Sequence, residues 1–246
     1  MDKEEYKRKI RAMAMDDRYI SGIHNYCDRW CERCTFTSRC RVFSMEQADN
    51  GDRLSQDMEN QEFWERIRLN FEVAAEMLQE MADDAGIELL TDDEDTPPNF
   101  LEQPETPIEK LAKKYGFSVS DWLAPKMETI SGHEDPAVRD SAEVIRWYSL
   151  FIGVKITRSL MKDFSLQDDP EMRELWQNDQ LGSAKIALIA IQRSIEALSV
   201  LYKTFPEWED EVLEFLRQLS RMKRTVEVQF QGAWDFKRPG FDTQDA

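Results

Sequence analysis

A chain of 246 residues with 41% hydrophobic content, including 13 Phe, 7 Trp and 6 Tyr, can bury a sizeable core, which excludes a wholly disordered protein. Its formal charge of −17 disfavours nonspecific binding to phosphate backbones, and such acidity favours solubility. Nine Gly and nine Pro over the whole length favour long helices over many short strands.

In chain order, helical periodicity runs from about Lys3 to Trp30, with a break near Asp16. A second long helix is predicted from about Ser55 to Ala85. Its apolar stripe is Phe63, Ile67, Phe71, Ala74, Ala75 and Leu78, and Gly86 is its stop. Residues 91–106 (TDDEDTPPNFLEQPET) have no period, three prolines and many acids, and read as a linker or loop. Thr106, Pro107 and Glu109 form a capping box that opens a helix expected to end at Gly116. Asp135–Pro136 opens another helix to about Met161, and Asp169–Pro170 repeats the signal.

Ser183–Tyr202 is the most apolar helix and is expected at the centre. Ala184, Ala187, Leu188, Ile191, Ile195, Leu198 and Leu201 lie on its broad face. Thr204 and Glu207 suggest the cap of a final helix to about Phe230. Trp234, Phe236 and Phe241 are expected to pin the irregular tail onto the body. The segments therefore divide as 1–90, a loop at 91–106, and a bundle at 107–246, with the first and last packed as one unit. The fold class is all-α: a multi-helix bundle with an N-terminal four-cysteine metal site.

That site is the densest chemical signal. Cys27, Cys31, Cys34 and Cys40 are the only cysteines, spaced Cys-x3-Cys-x2-Cys-x5-Cys. Four soft ligands within fourteen residues point to metal coordination, by a [4Fe–4S] cluster or by Zn2+. On a continuous helix Cys27, Cys31 and Cys34 share a stripe, and Cys40 does not, so a turn is required after Cys34. Helix geometry also separates the Cα atoms of Cys27 and Cys34 by about 10.5 Å. A single zinc spans only roughly 9 Å, so zinc requires the helix to end before Cys34, and a cluster tolerates more helix.

The stretch CERCTFTSRC is similar to the iron–sulfur loop of the endonuclease III and MutY-type DNA glycosylases. It is also similar to the cysteine trio of the iron–sulfur exonucleases associated with CRISPR systems. The resemblance covers about ten residues and implies cluster ligation by Cys31, Cys34 and Cys40, with no activity carried over. Cys27 departs from the glycosylase pattern, standing three residues before Cys31 where that family has six. Cys27, Cys31 and Cys34 also have the spacing seen in radical S-adenosylmethionine enzymes, without the βα scaffold of that family.

Residues 1–41 hold ten Lys/Arg against seven Asp/Glu, so Arg29, Arg33, Arg39 and Arg41 form a local basic excess beside the cysteines. Residues 69–109 hold thirteen acids and no base. Three functional expectations follow. The first is a metal- or cluster-binding helical protein whose site is a structural staple or a redox or iron sensor. The second is an Fe–S enzyme or accessory subunit in nucleic-acid processing, touching nucleic acid through the N-terminal arginines. The third is an acidic protein-interaction partner.

No apolar stretch is long enough to span a bilayer and no apolar run follows the charged N-terminus, so a cytoplasmic location without membrane contact is expected. His24 and His133 are the only histidines, and no catalytic residues are assigned. Glu72, Glu76 and Glu80 read as a solvated face. Asp92–Asp95 lacks EF-hand spacing. Arg193 and Glu196 are expected to pair with each other at the core edge.

Overall fold

The computed structural model describes residues 3–49, 59–86, 104–161 and 170–242. The described residues are helical, with no strand among them. The elements are α1 (Lys3–Ala14), α2 (Arg41–Asp49), α3 (Gln61–Ala85), α4 (Pro107–Leu123), α5 (Met127–Ser131), α6 (Pro136–Leu160), α7 (Pro170–Thr204) and α8 (Glu209–Gln229). The all-α class holds. The chain divides into two compact units: Met1–Asn25 with Cys31–Thr96 and Gln244–Ala246, and Tyr26–Trp30 with Pro97–Thr243. Most of the 91–106 loop, with Asp92–Asp95, lies outside the described residues, as do Ser55 and Asp169.

In the larger unit, α4, α6, α7 and α8 enclose one core. Ile145, Ile152, Ile156, Leu188, Ile191, Leu198, Leu201 and Leu219 are fully buried there, with Tyr115 and Tyr148. Each such aliphatic side chain contributes about 1.5–3 kcal/mol by leaving water. The cap signals are realised. Thr106 Oγ1 accepts from the Glu109 N–H at 3.4 Å, and Glu109 Oε2 accepts from the Thr106 N–H at 2.8 Å. Asp135 Oδ1 accepts from the Ala137 N–H at 2.8 Å to start α6. The Thr204 cap is not realised: its hydroxyl donates back to the Val200 carbonyl at 2.9 Å, and a 3₁₀ turn at Pro206–Trp208 precedes α8.

Gly116 does not end α4. A Cβ there would lie 2.7 Å from the Ser149 carbonyl oxygen and 2.9 Å from Leu150 Cδ2, so the glycine lets α4 cross closely over α6. The segment is therefore one helix from Pro107 to Leu123. The tail is held by polar groups as much as by rings. The buried Lys185 ammonium donates to the Phe236 carbonyl at 2.6 Å and to Asp242 Oδ2 at 2.7 Å, and Arg238 bonds both oxygens of Asp242 at 2.9 Å.

In the smaller unit, α1 runs along α3. Lys3 pairs with Glu72 and Glu76, Lys7 with Glu76 and Glu80, and Arg11 with Glu80. The glutamate row, still part-exposed to solvent, is thus also a seam of ion pairs. Asn60 caps α3, its side chain accepting from the Glu62 N–H at 3.0 Å, and Gly86 ends it at φ 68°. The apolar stripe expected to be buried is largely open: Phe71 is 73% exposed and Leu78 57%.

Candidate metal centre

The helix expected from about Lys3 to Trp30 ends at Ala14, close to the break expected near Asp16, and no α-helix resumes before Trp30. Residues 15–40 are rich in turn formers, and their side chains satisfy the backbone locally. Asp16 Oδ1 accepts from the Arg18 N–H at 3.0 Å, Gly22 takes φ 70°, and Asp28 Oδ1 accepts from the Trp30 N–H at 3.2 Å. Cys31 opens a short 3₁₀ turn at Cys31–Arg33, and Cys27, Cys34 and Cys40 directly follow the turns at Ile23–Tyr26, Cys31–Arg33 and Thr37–Arg39, so no α-helical stripe holds them. The turn expected after Cys34 is present, within a run of turns that begins well before it.

No disulfide joins the four cysteines, and all are half-buried. The Cys34 N–H closes its turn on the Cys31 carbonyl at 3.1 Å, and the Cys40 N–H closes the next on the Thr37 carbonyl at 3.2 Å. Two of the sulfurs accept backbone hydrogen bonds from the residue two positions on. Cys34 Sγ takes the Phe36 N–H at 3.4 Å, and Cys27 Sγ takes the Arg29 N–H. At Cys27 this bond favours thiolate over thiol. Burial acts in the opposite direction at Cys27 and dominates, so its thiol is raised above the ordinary value. Arg29 stands at φ 58°, the left-handed region, which costs a non-glycine residue about 1–2 kcal/mol. Among the described residues, no three His, Cys, Asp or Glu side chains converge on a point that could hold a metal ion.

The segment Tyr26–Trp30 is seated on α6 and α7, and Asp28 does most of the holding. Its Oδ2 accepts from the Tyr148 hydroxyl and from Arg193 Nη1, each at 2.7 Å, and its carbonyl accepts from Trp147 Nε1 at 3.0 Å. Trp30 stacks on Trp147 with ring centroids 5.1 Å apart and meets Tyr148 edge-on at 5.9 Å. At the other end, Tyr26 lies over Gly182, where any Cβ would strike its ring, and against Phe236 at 4.8 Å. Burial, with the Asp28 carboxylate beside it, pushes the Tyr148 hydroxyl well above the ordinary phenol value.

Arg193 therefore pairs with Asp28, and Glu196 instead accepts from Gln192 Nε2 at 3.0 Å. The sequence flagged Arg193 by its charge inside an apolar helix but gave no sign of a partner 165 residues away. Asp28, Trp147 and Tyr148 carried no sequence signal beyond residue type. Of the four arginines near the cysteines, Arg29 and Arg33 are exposed, and Arg39 and Arg41 are half-buried.

Compared with known proteins, the chain matches no family model, no curated sequence and no solved structure. No helix among the described residues is long and apolar enough to cross a membrane.

Proposed function

We propose that this chain is a metal-binding helical protein in which Cys27, Cys31, Cys34 and Cys40 ligate one centre, a Zn2+ ion or a [4Fe–4S] cluster, that staples the N-terminal segment. The observation that carries the reading is the cysteine distribution: all four thiols of the chain fall within fourteen residues, on successive turns. The turns also lift the helical objection to zinc, because no helix holds the Cα atoms of Cys27 and Cys34 about 10.5 Å apart. The ligand set forms on metal binding, as in other small sites where coordination and folding are one process. Coordination deprotonates the thiols, and the N–H groups on Cys27 and Cys34 then offset part of the negative charge. Zinc supplies a structural crosslink alone, and a cluster adds electron transfer.

The test is anaerobic purification without chelator, followed by metal analysis and an absorption spectrum. One zinc per chain and no colour supports a structural centre. About four irons per chain with broad visible absorption supports a cluster. Serine at any one of the four positions is expected to lower metal content. Protein that holds neither metal under these conditions overturns the reading.

A further inference from the structure

The open face of α3 has a regular spacing. Trp64, Phe71 and Leu78 recur every seven residues, and Ile67, Ala74 and Met81 each follow three residues later. This is the a/d pattern of a helix built to pair with another helix. The face is not the one against α1, because Glu72, Glu76 and Glu80, which meet the cations of α1, lie about 100–180° around the helix from Phe71. Trp64 is 57%, Phe71 73%, Leu78 57% and Met81 67% exposed.

We propose that this face pairs with the same face of a second copy of the chain, antiparallel, centred between Glu72 and Val73. Three observations select that partner. First, the pattern reads the same in both directions. Antiparallel pairing about this centre sets Trp64 level with Met81, Ile67 with Leu78, and Phe71 with Ala74, so a large ring meets the smallest residue at the middle.

Second, the charges permit it. α3 carries seven carboxylates, and every one lies at least about 100° around the helix from Phe71. The flanks that would face each other hold Gln61, Arg68 and Gln79 on one side and Phe63, Asn70 and Met77 on the other. An acidic chain has thus kept like charge out of the one helix face where two copies would meet.

Third, the area is adequate. The helix is about 37 Å long. The four exposed side chains offer on the order of 500 Å2 per copy, or about 1,000 Å2 for the pair, the lower limit for a specific interface. A concentration-dependent dimer is the expected result.

Sedimentation velocity of the full chain over a range of micromolar concentrations tests the pairing. Monomer passing to dimer as concentration rises, with Phe71→Glu and Leu78→Glu each weakening the dimer at least about tenfold at unchanged helix content, supports it. These side chains are exposed, so the variants fold, and helical circular dichroism checks that they do. A photo-crosslinking residue at position 78 is expected to capture the partner's peptide around Ile67. Capture of the peptide around Leu78 overturns the antiparallel register. A chain that stays monomeric throughout, because another protein or its own remaining segments cover the face, overturns the proposal, as does a dimer that Phe71→Glu leaves intact.

Discussion

Asp28 and Arg193 meet at 2.7 Å across 165 residues of sequence, and the Tyr148 hydroxyl bonds the same carboxylate oxygen. The pair lies one residue from Cys27, so the position of that thiol is set by contacts on α6 and α7. Asp28→Ala leaves the Tyr148 phenol without its acceptor and leaves Arg193 the Tyr148 oxygen in place of the carboxylate. With Arg193 half exposed, the expected loss is about 1–2 kcal/mol of unfolding free energy in urea. Asp28→Asn keeps an acceptor for Tyr148 and is expected to lose less. Equal stability in all three proteins would show that the cluster contributes nothing to the fold.

Two glycines are expected to resist replacement to different degrees. Alanine is the better helix former by about 1 kcal/mol, so on propensity alone both substitutions stabilise. At Gly116 the new methyl meets a backbone carbonyl of α6 at 2.7 Å, which cannot rotate away. Gly116→Ala is therefore expected to cost about 1–3 kcal/mol. At Gly182 the obstacle is the Tyr26 ring, a side chain that can swing out, so the melting temperature of Gly182→Ala should fall less.

The tail clip gives the larger unit an acid limb. Hydrogen bonds from Arg238, opposed by burial and reinforced by Lys185, hold the Asp242 carboxyl well below its ordinary value. A carboxyl depressed in the folded state contributes stability that is complete above its unfolded value near pH ~4 and is lost as pH falls toward the folded value. Stability measured from pH 6 down to pH 2 should decline with a contribution that Asp242→Asn abolishes. An unchanged slope in that variant would rule the clip out as its source.

The lysine of the seam between α1 and α3 responds in the opposite direction. The hydrogen bond its ammonium donates to Glu76, opposed by burial and joined by one donated to Glu80, holds Lys7 above its ordinary value. A raised lysine stabilises fully below its unfolded value near ~10.4 and loses that contribution as pH climbs through the folded value. Lys7→Glu faces two carboxylates and should release α1. The expected result is rapid amide exchange across residues 3–14 with protection in α7 unchanged.

Much of the fold could be read locally. Thr106 with Glu109, Asp135 before Pro136, and Gly86 are short-range devices whose chemistry lies within four residues, and each appears where expected. The apolar breadth of α7 likewise placed it centrally. The misreadings share a cause. Gly116 looked like a stop because its reason, the Ser149 carbonyl, sits on another helix. Glu72, Glu76 and Glu80 looked only solvated because their cations lie about seventy residues earlier.

The cysteine stretch looked helical by period, but Asp16, Gly22 and Asp28 each offered the backbone a competing bond or a left-handed turn. The four candidate ligands were legible from spacing alone. Which contacts seat Tyr26–Trp30 was not, because Arg193 and Tyr148 become neighbours of Asp28 only in the folded bundle.

The stacked indoles of Trp30 and Trp147 have an optical consequence. Their planes lie within 14° at 5.1 Å, close enough for their electronic transitions to couple and give circular dichroism of their own. Trp30 closes the segment that begins at Tyr26 and holds Cys27, so that coupling is a native gauge of the seating of Tyr26–Trp30, readable without any label. Titrating zinc or iron while watching it would separate a rearrangement of the segment from a change in helix content.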